Sequence, residues 1–161
     1  MASSDKPPGP ATSLPRFDLP DSQRRTPVGT FRVLVADDYE SVREGVCAIL
    51  KSRVDVEICA QAKNGEEAVQ KALEFRPHLI ILDISMPGLG GIEAARQIRV
   101  LLPDVSILFF TMHNLPQLFA IAKSVGAQGF VTKDQIAATL LAAVDALRRN
   151  ETYFSLGPAQ D

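Results

Sequence analysis

LIILDISMP, residues 79–87, decides the fold of this chain. The stretch is an unbroken apolar run that stops at Asp83 and is closed by Pro87. A short run of β-branched and leucine residues, bounded by Pro77 and Pro87, predicts a strand buried on both faces, as in a parallel sheet. Asp83 would then lie at the carboxyl end of that strand, where open α/β sheets bind their ligands. From this stretch alone, the alternative is an aspartate that caps a helix or forms a turn.

Apolar patterns on both sides of this run predict four more strands, and a helix follows each of the five strands. The other predicted strands span residues 31–36, 56–62, 106–111 and 127–132. The predicted helices span residues 40–51, 64–76, 92–102, 114–125 and 134–149, with Asn64 and Asn114 as N-caps and Ile136 in the last apolar stripe. This alternation predicts a single doubly wound α/β domain with a parallel sheet and right-handed crossovers.

Composition and charge limit the function classes. The chain has 161 residues, 46% of them hydrophobic, and a net charge of -2, which gives no general attraction to nucleic acid or to an anionic membrane. Direct nucleic-acid binding is therefore not expected, and the absence of a secretory or membrane-spanning apolar segment predicts a cytoplasmic protein. Cys47 and Cys59 fit reduced core thiols, with a structural disulfide as the alternative.

The two ends of the chain differ in composition from the middle. Residues 1–30 are rich in proline, serine and small residues, which predicts a disordered leader. A docking peptide that uses Phe17 and Leu19 is the alternative. Residues 151–161 form a C-terminal tail too short to fold into a domain, so the folded part is predicted at 31–150.

Polar side chains follow four of the predicted strands. Asp37 and Asp38 come after the first, Asp83 after the third, Thr111 ends the fourth, and Lys133 follows the fifth. Because the carboxyl ends of parallel strands meet at one edge, these groups should converge. Three close carboxylates call for a cation, and Mg²⁺ is the hard, oxygen-seeking ion that such sites hold. An ammonium and a hydroxyl beside them suit a phosphoryl group on an aspartate.

The chain resembles the response regulator receiver domains of two-component signalling over residues 31–150. Four motifs in order carry the resemblance: VADD (35–38), LDISMPGLGG (82–91), FFTMH (109–113) and GFVTK (129–133). Their wording is most similar to receivers of NarL/LuxR-type regulators. The resemblance implies a flavodoxin-like fold with five helices and a five-stranded parallel sheet in the order 2-1-3-4-5.

The resemblance also implies roles for individual residues. Asp83 would be the phosphoacceptor, and Mg²⁺ would be held by Asp38, Asp83 and the backbone carbonyl of Ser85, with Asp37 acting through water. Thr111 and Lys133 would contact the phosphoryl oxygens. Further implied roles are a switch formed by Thr111 and Phe130, and tuning of the phosphoryl lifetime by Ser85 and His113. From its position alone, Phe130 also fits ordinary core, and His113 also fits a solvent-edge residue.

The implied partner is a sensor histidine kinase or a phosphotransfer protein that donates its phosphoryl group. The domain would catalyse only its own phosphorylation and dephosphorylation, so it is not expected to be an enzyme acting on other substrates. The output surface would comprise the fourth helix, fifth strand and fifth helix, and a homodimer through this face is predicted.

Two other function classes fit the same sheet less well. An aspartyl-phosphate-type hydrolase would carry a second aspartate two residues after Asp83, where Ser85 stands. A flavin-binding module would have a Ser/Thr/Gly-rich loop after the first strand, where this chain has DDYE (37–40). Within the receiver class, the sequence leaves open a stand-alone receiver and the truncated receiver part of a helix-turn-helix transcriptional regulator.

Overall fold

The computed structural model describes residues 29–113, 115–134 and 137–155. The leader up to residue 28, the Asn114 cap, Ile136 and the end of the tail from residue 156 lie outside the described residues.

The described residues form a parallel six-stranded sheet in the order β2-β1-β3-β4-β5-β6. The strands are β1 (Phe31–Ala36), β2 (Val56–Ala62), β3 (Leu79–Leu82), β4 (Ser106–Thr111), β5 (Gly129–Thr132) and β6 (Tyr153–Phe154). The predicted order 2-1-3-4-5 is confirmed, and a two-residue strand extends it at the β5 edge. The central run behaves as predicted, since all four residues of β3 are buried.

Five helices connect the strands within the described part of the chain. They are α1 (Glu40–Leu50), α2 (Gly65–Phe75), α3 (Gly91–Leu101), α4 (Pro116–Ser124) and α5 (Ala137–Arg148). Asn64 caps α2 as predicted, because its side chain accepts a hydrogen bond from the Glu67 backbone N–H at 2.8 Å. Among these described helices, none has the length and apolar character needed to cross a membrane.

The sheet lies between two helical layers, and each strand contributes alternate residues to the two cores. On one side, α2, α3 and α4 pack on residues such as Leu34, Ile80 and Phe109. On the other, α1 and α5 pack on residues such as Val35 and Ile81. Burial on both faces explains why the strands read as continuous apolar runs rather than as alternating patterns.

The structure gives the environments of the two cysteines and of His78. Cys47 is buried and Cys59 is half-buried, and both thiols are free, as expected for reduced cysteines. His78 accepts a hydrogen bond at Nδ1 from the Arg32 backbone N–H at 2.9 Å. Its ring also stacks on Phe31 with a centroid separation of 5.4 Å. His78 therefore extends the contact between β1 and β3 by one residue, on the side that precedes Leu79.

The turn after α5 brings the chain back along the sheet edge. Asn150 adopts a positive φ of 62°, a conformation that asparagine tolerates better than most residues and that commonly ends a helix. The chain then runs parallel to β5, and residues that the sequence assigned to a tail form β6. A two-residue strand leaves too short a pattern to be recognised from sequence.

Candidate functional site

Three carboxylates meet at the carboxyl edge of the sheet. Asp37 and Asp38 follow β1, and Asp83 follows β3, which is the neighbour of β1 in the sheet. One oxygen of each carboxylate lies within 4.8 Å of the others. Asp37 and Asp83 are almost fully buried, so the structure brings together the acidic groups that the strand ends predicted.

Lys133 and Thr111 complete this cluster. The Lys133 ammonium lies 2.6 Å from an Asp37 oxygen and 3.5 Å from an Asp83 oxygen, and its side chain is only 5% exposed. Thr111 is fully buried, and its hydroxyl oxygen accepts a hydrogen bond from the His113 backbone N–H at 3.2 Å. This geometry leaves the hydroxyl hydrogen available as a donor. The backbone also ties the two strand ends together, because the Lys133 N–H donates to the Thr111 carbonyl at 2.8 Å.

Burial makes Asp83 harder to ionise than an ordinary aspartate. Its pKa is raised from 3.8 to about 6, first by burial and then by the Asp37 charge. Lys133 and a hydrogen bond from the Ser85 backbone N–H act in the opposite direction without cancelling this effect. The site therefore holds a carboxylate whose charge has too few partners, and an added cation would favour its ionised form.

The loop between β3 and α3 is packed closely against Asp83 and α2. A Cβ atom on Gly91 would lie 2.0 Å from the Asp83 carbonyl oxygen, and one on Gly65 would lie 2.0 Å from the Leu89 carbonyl oxygen. The Leu89 backbone N–H donates to the Glu66 carboxylate at 2.9 Å. Sequence reasoning missed Glu66, since its partner is 23 residues away. Only the glycine-rich composition of residues 88–91 indicated a close approach there.

The cluster has the chemical features of a divalent-cation site. Asp38 Oδ1 is buried and has no hydrogen-bond partner among the described residues. The Asp37 carboxylate, by contrast, already has partners: one oxygen accepts a hydrogen bond from the Tyr39 backbone N–H at 2.9 Å, and the other pairs with the Lys133 ammonium. A cleft of about 530 Å³ opens onto Asp38, Asp83 and Lys133, which is room for a small ion with its waters and for a phosphoryl group. A hard cation fits this oxygen donor set.

The remaining predicted residues lie around this cluster in different environments. Ser85 and His113 are exposed, and both line the cleft. Phe130 is fully buried within β5, and its ring lies 5.7 Å from the Phe119 ring of α4. Phe130 is thus outside the cleft, in the core layer beneath α4.

Comparison with known proteins agrees with this geometry. Residues 33–145 match the family model described as the response regulator receiver domain. The chain is 37% identical over 113 residues to the transcriptional regulatory protein LnrK of Bacillus subtilis, covering 70% of this chain and 51% of LnrK. It is 40% identical over 127 residues to the oxygen regulatory protein NreC of Staphylococcus epidermidis, covering 78% of this chain and 58% of NreC. The chain therefore spans between half and three-fifths of these relatives.

Solved structures give the same picture. A LuxR-family response regulator from Aurantimonas sp. SI85-9A1 aligns with a TM-score of 0.75 at 35% identity, over 77% of this chain and 89% of that one. The receiver domain of the putative response regulator NarL from Mycobacterium tuberculosis aligns with a TM-score of 0.73 at 29% identity, over 76% and 98% respectively. The chain belongs to the response regulator receiver domain family and is a receiver domain of two-component signalling.

Proposed function

We propose that this receiver accepts a phosphoryl group on Asp83 in a Mg²⁺-dependent reaction. The donor is a phosphohistidine of a sensor histidine kinase or a phosphotransfer protein. One observation carries the proposal: Asp83 is a buried carboxylate at the end of a central strand, 3.5 Å from the Lys133 ammonium and beside two further carboxylates. No other described carboxylate combines a neighbouring buried lysine, a strand-end position and an open cleft.

The metal role divides among the acidic residues. Asp38 and Asp83 hold Mg²⁺ directly together with the backbone carbonyl of Ser85, and Asp37 acts through water. The engagement of Asp37 by Lys133 and by the Tyr39 N–H supports this indirect role. The unpartnered Asp38 oxygen supports a direct one. When bound, the ion neutralises charge on the carboxylates and on the phosphoryl oxygens.

The transfer itself needs little protein chemistry beyond positioning. An Asp83 oxygen attacks the phosphorus, a P–O bond forms, and the P–N bond to the donor histidine breaks. The other ring nitrogen of that histidine already carries a proton, so the histidine leaves as a neutral imidazole. The Lys133 ammonium and the Thr111 hydroxyl contact the transferred group, as compact donors suited to its charge. Because Lys133 already pairs with Asp37, it is held in place before the donor arrives.

Phosphorylation changes the domain through Thr111 and Phe130. Thr111 moves toward the phosphoryl group, and the Phe130 ring occupies the space that this movement leaves. The output surface comprises α4, β5 and α5, and it supports a homodimer. Light scattering of the protein with and without beryllium fluoride and Mg²⁺ tests the dimer: a doubled mass supports it, and an unchanged mass contradicts it.

The phosphoryl lifetime is tuned by Ser85, two residues after Asp83, and by His113, two residues after Thr111. Both are exposed and line the cleft that opens onto Asp83. Replacing His113 by alanine is expected to change the decay rate of the phosphorylated protein without changing the site of phosphorylation. Decay of the phosphorylated mass over time measures this effect.

Intact-mass spectrometry tests the proposed function. The protein is incubated with acetyl phosphate and Mg²⁺, and the expected result is the addition of one phosphoryl group. The Asp83→Asn variant should gain none, and chelation of Mg²⁺ should prevent the addition. Equal labelling of the variant would contradict the proposal.

A further inference from the structure

The strand β6 is attached to the element that carries the switch residue. The Tyr153 backbone N–H donates to the Gln128 carbonyl at 3.0 Å, and the Ser155 N–H donates to the Phe130 carbonyl at 2.8 Å. Phe154 is the register partner of Phe130. The segment 153–155 therefore donates hydrogen bonds to the carbonyls of Gln128 and of Phe130 itself.

Side chains join the same residues a second time. The Phe130 and Phe119 ring centroids lie 5.7 Å apart, and the Phe119 and Phe154 centroids lie 5.1 Å apart with an edge-on geometry. These separations are within the range in which aromatic rings attract each other. We call this set, Phe130, Phe119 and Phe154, the aromatic row. It runs from β5 across α4 to β6.

The packing around the row favours close docking of the segment. The Lys123 ammonium lies 4.9 Å from the centroids of both the Phe119 and Phe154 rings, so one cation contacts the α4 and β6 members of the row. Gly129 leaves room for the strand, because a Cβ atom there would lie 3.1 Å from the Tyr153 carbonyl oxygen. The docking thus has specific partners on both the helix and the sheet.

The row begins close to the phosphorylation site. Phe130 lies two residues before Thr132, and Thr132 pairs with Thr111 in the register of β4 and β5. Building on the proposed function, we infer that β6 is a phosphorylation-coupled docking strand: the buried position of Phe130 stabilises β6 on β5, and docked β6 stabilises the phosphorylated state of Asp83.

The sign of the coupling follows from the packing. In this structure Phe130 is fully buried, its ring packs on Phe119, and the Phe119 ring packs in turn on Phe154. The proposed switch assigns the buried ring to the phosphorylated state, so that state favours docking of β6. A two-residue strand at a sheet edge opens locally far more easily than the core, and its opening therefore responds to a small free-energy change. One aromatic contact corresponds to an effect of about 2- to 10-fold on such an equilibrium.

Amide hydrogen exchange measured by NMR on the whole chain tests the inference. The Tyr153 and Ser155 amides report the opening of β6. Saturating beryllium fluoride and Mg²⁺ should slow their exchange by about 2- to 10-fold. The Glu151 amide is the internal control, since it donates to the Ala146 carbonyl of α5 and not to β5; its exchange should change less than that of the β6 amides.

Two variants test the reciprocal effect, because coupling between two sites must act equally in both directions. Phe154→Ala breaks the aromatic row at its half-buried outer end, and it should weaken beryllium fluoride affinity by the same factor by which the ligand slows β6 exchange in the unaltered protein. Tyr153→Phe is the matched control: it changes the neighbouring residue of β6 but keeps the ring that packs on the opposite core, and it should leave the affinity unchanged.

The outcomes separate this inference from the proposed function. If acetyl phosphate labels Asp83 but β6 exchange does not respond to beryllium fluoride, or Phe154→Ala leaves the affinity unchanged, the coupling is refuted and the proposed function stands. If labelling and beryllium fluoride binding both fail, the proposed function is refuted, and the coupling with it.

Discussion

Replacing Asp83 by asparagine should make the protein more stable when Mg²⁺ is absent. The folded protein holds the ionised Asp83 in a buried site beside Asp37, which raises its pKa to about 6. The unfolded chain has an ordinary aspartate pKa of about 3.9. Because the folded state binds this proton more tightly, the free energy of unfolding falls as the pH rises from about 4 to about 6 and stays lowered above that range. Asparagine has the same shape and removes the charge.

The size of the effect follows from the pKa. A shift from 3.8 to about 6 corresponds to roughly 3 kcal/mol of added free energy for the ionised group at neutral pH. A buried asparagine amide has its own desolvation cost wherever its hydrogen bonds are incomplete, which reduces the gain. We therefore expect Asp83→Asn to raise the free energy of unfolding by about 1–3 kcal/mol at pH 7.5 in EDTA.

Urea unfolding followed by circular dichroism measures this difference. Glu74→Gln, which neutralises an exposed carboxylate of α2, is the control and should stay within about 0.5 kcal/mol of the unaltered protein. Adding Mg²⁺ at 100 times its Kd should stabilise the unaltered protein by about 2.7 kcal/mol and leave Asp83→Asn unchanged. The reasoning is refuted if Asp83→Asn is no more stable in EDTA, or if Mg²⁺ stabilises both proteins equally.

Three further changes have defined outcomes. Gly91→Ala places a Cβ atom 2.0 Å from a backbone oxygen and should lower the free energy of unfolding by about 3 kcal/mol or more. Gly45→Ala in α1 is the control, since its Cβ meets nothing within 4 Å, and it should raise the free energy of unfolding by about 0.5–1 kcal/mol. Thermal unfolding compares the two variants, and equal losses of stability would contradict the packing described. Burial and two neighbouring guanidinium groups lower the pKa of His78. Because the unfolded chain then binds this proton more tightly, the free energy of unfolding should fall as the pH drops below about 6.5. His78→Asn should lessen this loss, and an unchanged dependence of stability on pH would count against the role of His78. Glu66→Ala removes the acceptor of the Leu89 N–H, and calorimetry should show Mg²⁺ affinity weakened about 2- to 10-fold. Glu66→Gln keeps an acceptor and is the control. Equal Mg²⁺ affinities of Glu66→Ala and the unaltered protein would refute this role of Glu66.

The positions of the main site residues could be predicted from sequence because they follow from strand order. Asp37, Asp83 and Lys133 stand at the ends of strands with clear apolar patterns, and parallel strands bring their carboxyl ends to one edge. Residue type then narrows the chemistry, since three carboxylates and a lysine together imply a cation and a phosphoryl group. Neither step requires knowledge of side-chain geometry.

Other features depend on pairwise geometry that no local pattern encodes. Lys133 lies closer to Asp37 than to Asp83, and the two aspartates could not be ranked from their positions in the sequence. Glu66 reaches a loop 23 residues away, and nothing distinguishes it from other exposed glutamates at the start of a helix. The strand β6 has only two residues, so its existence depends on the packing of Phe154 rather than on periodicity.

Borohydride trapping of the phosphorylated protein tests the central claim most directly. Borohydride reduces an aspartyl phosphate to homoserine, and peptide mass spectrometry then locates the modified residue. After incubation with acetyl phosphate and Mg²⁺, we predict homoserine at position 83 and aspartate at positions 37 and 38. Homoserine at either of those positions, or an unmodified residue at 83 in protein that has gained a phosphoryl group, would contradict the assignment of Asp83 as the phosphoacceptor.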